Sequence, residues 1–207
     1  GFRNLVEKSE ELNLPFRVVL VVTHHAKGGV AKHAERLGIP CSVVHTPVTE
    51  DAYRDLAIST GADLIALSGW LKPVMGLPTE KVINIHPGPL PTFGGKGMYG
   101  HHVHEGVMKQ YHEGKIHHSA VSMHFVPAYV KSATGDNYDS GPVFASVPVP
   151  IGGCADADEL GARVNKMEHR VQPALTALVA EGRIALRPDG SISMGHEAWR
   201  YGNELPY

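Results

Sequence analysis

The chain has 207 residues, 43% hydrophobic and 19% charged, with 19 basic against 21 acidic side chains and a formal charge of −2. That length and apolar fraction suit one domain of ordinary size, and the balanced charge argues against binding nucleic acid through bulk positive potential. No apolar run reaches the roughly 18 residues that a membrane helix needs. Cys41 and Cys154 have neither metal nor redox spacing and suit a reducing, cytoplasmic setting.

Phe2, Leu5, Val6 and Leu12 lie at near-helical spacing with charged residues between them, which predicts an opening helix. Phe16–Thr23 is a β-branched run of the kind buried on both faces of a sheet. A helix over Gly28–Leu37 stops at Gly38, and a strand over Cys41–His45 follows. Then come a helix over Glu50–Ser59, a strand over Asp63–Leu67 and a strand over Val82–Ile85. Strands alternating with helices of about ten residues predict βαβ units and a mostly parallel sheet, hence an α/β fold. A unit of that kind begins with a strand, whereas this chain begins with a helix at Gly1. The order predicts a missing opening strand, and therefore a gap in the sheet or a strand supplied by other residues.

The texture changes after Asn84. Residues 87–101 hold Pro87, Pro89, Pro91 and a series of glycines, a long irregular loop at the carboxyl end of a parallel strand, where open α/β sheets bind ligands. Val103–Tyr111 reads as a helix, Ser119–Phe125 and Pro142–Val149 as strands, and Ala155–Ala180 as a helix that Pro173 kinks. Ile184–Leu186 and Ser191–Met194 around Pro188-Asp189-Gly190 suit a hairpin.

In Asn84-Ile85-His86-Pro87, alternate strand residues share a face, so an amide and an imidazole project together where the strand ends. Such a pair can polarise a carbonyl and hold the developing oxyanion; a strand-end pair satisfying turn backbone is the plainer reading. Asp139, in Tyr138-Asp139-Ser140-Gly141-Pro142, is either a turn aspartate or a carboxylate folded back onto His86, raising its pKa and favouring imidazolium.

Asn84-Ile85-His86-Pro87-Gly88-Pro89-Leu90-Pro91, Val103-His104-Glu105, His124-Phe125-Val126 and Asp139-Ser140-Gly141-Pro142-Val143 together resemble the folate-dependent formyltransferases. The last helix, with Arg163-Val164-Asn165-Lys166-Met167-Glu168-His169, is similar to the branch that formylates glycinamide ribonucleotide in purine synthesis. The resemblance implies a Rossmann-like formyltransferase fold in one domain over 1–207, with an N-terminal half to about residue 84 and a catalytic, folate-binding half beyond it. It implies 10-formyltetrahydrofolate as cosubstrate, no metal, and Asn84, His86 and Asp139 as the catalytic set. In that set His86 would be the general acid, Asn84 would hold the formyl oxygen, and Asp139 would keep His86 protonated and help move the amine's proton.

The resemblance also places folate against Leu71, Lys72, Pro73 and Val74, beside Asn84 and the loop of Gly135, Asp136, Asn137 and Tyr138. It places the phosphorylated amine against Gly1, Pro87, Asn165 and Glu168. Of the family's opening phosphate loop only Gly1 is present, and some relatives carry Lys or Gln where this chain has Asn165. His112–His118 and Pro127–Thr134 read as insertions. The implied partners are small molecules, with neither nucleic acid nor membrane, and the chain would act as a monomer or homodimer.

Other readings stay open. Within the fold, the acceptor could be water, giving a formyltetrahydrofolate hydrolase, or an amino-sugar nucleotide; the N-terminal regulatory domain of hydrolase relatives is not visible here. In another class, fold does not fix function. The chain has 14 histidines, and His101, His102, His104, His117 and His118 would be the ligands of a non-catalytic zinc-binding module. The cluster lacks cysteine partners and a helical His-x-x-x-His pair, so surface histidines are the plainer account of it.

Overall fold

The computed structural model of the chain describes residues 1–132 and 135–195. Its elements begin with α1 (Phe2–Glu11), β1 (Val21–Thr23), α2 (Gly29–Arg36), β2 (Cys41–Val43), α3 (Glu50–Thr60), β3 (Ile65–Leu67) and β4 (Val82–His86). They continue with α4 (His101–His112), β5 (His118–Phe125), β6 (Lys131–Ser132), β7 (Gly135–Asp136) and β8 (Val143–Pro150). α5 (Ala157–Ala180), β9 (Ile184–Leu186) and β10 (Ile192–Met194) close the described chain. The α/β class is the one expected. The end of the expected insertion, Ala133 and Thr134, lies outside the described residues.

Strand pairing changes character at the centre of the fold. β1 pairs with β2, and β3 with β4, in parallel, as the alternating helices require. β4 then pairs antiparallel with β5, and β5 with β8, giving a four-stranded sheet in the order β3-β4-β5-β8. β1 and β2 form a separate two-stranded sheet, so among the described residues the expected break in the sheet is present. It also explains a correction. Only three residues of the Phe16–Thr23 run form a strand, because β2 offers a partner to Val21–Thr23 alone and the rest of the run meets no ladder.

Local chemistry sets the helix ends. Thr49 caps α3 by accepting the Ala52 N–H at 3.2 Å, and Gly61 ends it in the left-handed region at φ 60°. Asp156 caps α5, accepting from the Asp158 and Glu159 amides at 3.0 and 2.9 Å. α5 runs unbroken through Pro173 as a helix of 24 residues.

β5 is the spine of the core. Every residue from Ser119 to Phe125 is buried, since β4 and β8 flank it on both edges. Ile83, Ile85, Val121, Met123 and Phe125 pack with Val103 and Val107 of α4 and Leu160, Val164 and Val171 of α5. A smaller cluster of Val48, Tyr53, Val74, Leu77 and Val82 seats α3 against the segment that follows β3. These two cores hold the carboxyl end of β4 from both sides.

Candidate active site

β4 ends where the parallel and antiparallel parts of the sheet meet, and its last residues carry Asn84 and His86 on one face. His86 is 3% exposed, and its Nε2 donates to the Phe93 carbonyl at 2.8 Å. That bond leaves Nδ1 turned toward Asp139, whose Oδ2 lies 3.7 Å away: ion-pair range, but too long for a direct hydrogen bond. Asp139 sits at φ 53°, a left-handed conformation that aspartate tolerates better than most residues. Two glycines make the approach possible. A Cβ on Gly94 would come within 3.0 Å of the Asp139 Cβ, and one on Gly141 would overlap the Phe125 carbonyl oxygen. The Gly95 N–H then donates to Asp139 Oδ2 at 3.0 Å.

His124 belongs to this group, and sequence reasoning passed over it as a site residue. It faces Asn84 directly across the β4–β5 ladder, and the β5–β8 register shifts at Met123/His124. Its Nδ1 donates to the Phe125 carbonyl at 3.0 Å, so its Nε2 can accept from Asn84 Nδ2 at 3.1 Å. The same Nε2 is 3.5 Å from Asp139 Oδ1. Asn84 has two amide protons, and the second is left for a ligand. The signal available in sequence was the alternation of buried β5, but cross-strand register is not written in spacing.

Burial lowers the His86 pKa below its ordinary value and outweighs both the Asp139 carboxylate and the Phe93 carbonyl, which raise it. The expectation of a histidine kept cationic by Asp139 is therefore corrected. The carboxylate is adjacent and acts in the expected direction, but desolvation wins and His86 is neutral near pH 7. For Asp139 the balance is reversed. Burial pushes its carboxyl up, yet the neighbouring imidazoles and the Gly95 N–H, which donates to Oδ2, hold it below the usual carboxylate value.

Two cavities meet at these residues. A cleft of about 660 Å³ is lined by Gly1, Leu71, Asn84, His86, Pro87, Asp139, Asn165 and Glu168, among others. A slot of about 50 Å³ is lined by Lys72, Pro73, Val74, His124, Asn137 and Tyr138, with Leu67, Val126 and Pro127 as apolar walls. Trp70, Asn84, Tyr138 and Asp139 belong to both. The three residues expected to be catalytic thus lie together where cleft and slot join. All four residues expected around the amine line the cleft, with burial raising the Glu168 pKa and Asn165 Nδ2 3.4 Å from its Oε2.

The expected folate set is divided. Leu71 lines the cleft rather than the slot, and Gly135 and Asp136 line neither. Those two form β7, paired with β6, and Lys96 Nζ holds the Asp136 carboxylate at 3.2 Å. The histidines of the zinc reading are not assembled. His101 pairs with Glu105 and Asp158, while His117 and His118 lie beyond the far end of α4. Among the described residues, no group of three His, Cys, Asp or Glu side chains is placed to hold a metal ion. No described helix is long and apolar enough to cross a membrane.

Comparison with known proteins bears on the fold and the family. A phosphoribosylglycinamide formyltransferase, chloroplastic, of Vigna unguiculata is 32% identical over 205 residues, 92% of this chain and 60% of that protein. The namesake of Arabidopsis thaliana is 31% identical, with 92% of this chain and 65% of that protein covered. The chain therefore spans less than two thirds of these plant relatives. The crystal structure of glycinamide ribonucleotide transformylase 1 from Symbiobacterium toebii superposes with a TM-score of 0.76 at 23% identity, covering 94% of this chain and 88% of that one, which shows a shared fold. A family model described as formyl transferase matches residues 1–176, so the chain belongs to the formyl transferase family.

Proposed function

We propose that this chain transfers a formyl group from 10-formyltetrahydrofolate to the amine of glycinamide ribonucleotide, a step of purine biosynthesis. The observation that carries the reading is the junction itself. An amide, an imidazole and a carboxylate meet where a wide cleft opens into a narrow slot. The slot suits a flat heterocycle, with Pro73, Val74 and Val126 as walls and Asn137 and Tyr138 at its rim. At about 50 Å³ it is smaller than the roughly 300 Å³ of ordinary ligand sites, so the donor would lie partly in the cleft that shares its walls. The cleft offers Asn165 and Glu168 to the acceptor's polar groups, and Gly1 at the N-terminus of α1 to its phosphate.

The donor supplies a formyl carbon bonded to nitrogen and open to attack by an uncharged amine. Asn84 then uses its free amide proton to hold the formyl oxygen as negative charge grows there. His86, neutral at the start, takes the proton released by the attacking amine on Nδ1 and returns it to the departing nitrogen. One C–N bond forms, one breaks, and the proton passes from one nitrogen to the other. Asp139 stabilises the imidazolium while it lasts, through the charge that the Gly95 N–H helps keep on it. His124 fixes the Asn84 amide. Free Cys41 and Cys154 agree with a cytoplasmic or other reducing compartment.

The test is a product assay with purified chain and both substrates. Formylated ribonucleotide, produced only when both are present, is the expected outcome. Formate released without the amine would instead support the hydrolase reading.

A further inference from the structure

Trp70 lines both cavities, and a residue of a distant helix holds its indole. Its Nε1–H donates to the hydroxyl of Tyr53 on α3 at 3.0 Å, and that hydroxyl donates in turn to the Pro73 carbonyl at 2.7 Å. Tyr53 is buried at 7% exposure and packs in the cluster of Val48, Val74, Leu77 and Val82. One phenol oxygen therefore ties the indole to the backbone three residues further on, while the ring is locked in the core. On its other side Trp70 meets the edge of His24, with ring centroids 5.4 Å apart.

We propose that Tyr53 is a positioning residue for the formyl donor: it touches no substrate, but it makes the Trp70–Pro73 segment the fixed wall of the slot. The part of the slot around Asn137 and Tyr138 is tied down by shorter-range bonds: Asn137 Nδ2 donates to the Ala128 carbonyl and the Val130 N–H donates to Asn137 Oδ1. A slot this narrow binds a flat ring only if one wall is rigid enough to stack against, because each side chain that must be ordered on binding lowers affinity. Tyr53 does that ordering during folding. The effect falls on donor binding, since the Tyr53 hydroxyl bonds to Trp70 and Pro73, which line the slot, while Tyr53 itself lines neither cavity among the described residues. This inference rests on the proposed donor, and the controls separate the two.

The test uses the full chain with Tyr53→Phe, which keeps the ring and removes the hydroxyl, and Trp70→Phe, which keeps an aromatic wall and removes the N–H. Tyr53→Phe is expected to raise the donor KM about fivefold or more, the scale of one to two lost hydrogen bonds. The acceptor KM and kcat should stay within about twofold. Should Tyr53→Phe fail to fold, Trp70→Phe carries the same expectation, and in the double variant the two effects are not additive. In a Trp199→Phe background Trp70 is the sole tryptophan, and tetrahydrofolate should quench its emission at lower concentration in the Tyr53 parent than in Tyr53→Phe. A donor KM that falls or stays within twofold in a folded variant overturns the inference. A parent with neither donor-dependent turnover nor quenching overturns the proposed function, and this inference with it.

Discussion

His86 and Asp139 contribute different things to one proton path, so their removal should be distinguishable. His86→Ala deletes the relay atom, and transfer should fall by about 10²–10⁴-fold, the usual worth of general acid–base catalysis. Asp139→Asn keeps an oxygen for the Gly95 N–H but removes the charge that stabilises cationic His86. A loss of similar order is expected there, with circular dichroism and melting temperature near those of the parent. Asp139 titrates below its ordinary value of 3.8, so it is ionised at every pH from 5 to 8 and should add no limb to the rate profile in that range. Near-parental kcat in folded His86→Ala would remove His86 from the mechanism. Strand alternation made Asn84 and His86 legible as neighbours on one face, whereas spacing left the approach of Asp139 open and only the family resemblance implied it. The electrostatics of the site were not legible, because the desolvation that lowers His86 is a property of the packed surroundings and not of Asp139 alone.

At the scale of elements, the site depends on close backbone contacts more than on helix ends. Asp156→Ala removes an exposed cap from α5 and should cost about 1 kcal/mol, read as a lower urea midpoint with an unchanged transfer rate. Gly141→Ala places a methyl group on the Phe125 carbonyl, in the loop that delivers Asp139 to β5. Backbone has to shift there, so both the midpoint and the transfer rate should fall; an active, stable Gly141→Ala protein would show that the Asp139 loop tolerates displacement. The same contrast explains what the sequence disclosed about elements. β5, β8 and α5 carry strong periodicity, and the structure has them within a residue or two of the expected bounds. β1 carried an equally strong signal and yet is three residues long, because a strand exists only where another offers it a ladder. The β6–β7 hairpin and its claim on Asp136 were hidden for a related reason: Lys96 and Asp136 lie 3.2 Å apart but 40 positions apart in the chain. His124 was hidden because its role comes from register with Asn84.

For the molecule as a whole, placing several histidines in and around one cleft makes stability depend on pH in a definite direction. His86 and His104 are both largely buried, and burial is the largest influence lowering the pKa of each from 6.5. Among the described residues, the Nδ1 of His104 meets no hydrogen-bond partner to offset its desolvation. Such a group takes up a proton more readily in the unfolded chain than in the folded one. Its contribution is therefore intact above about pH 6.5 and is lost as the pH falls through the lower folded value, by at most about 1.4 kcal/mol per pH unit for each histidine. Glu168 works against this trend, since burial raises its pKa and protonation relieves the cost of its buried charge. The carboxylate of Asp139 acts in a separate window, being lost only as the pH falls through its own depressed value. Unfolding free energy should thus decline from about pH 6.5 toward 5 as these histidines take up protons on unfolding. Replacing both histidines, as His86→Gln with His104→Gln, should flatten that decline. Urea titrations at pH 7.5, 6.5 and 5.5 on parent and double variant measure it, and an undiminished slope in the double variant would assign the acid sensitivity to groups other than these two histidines.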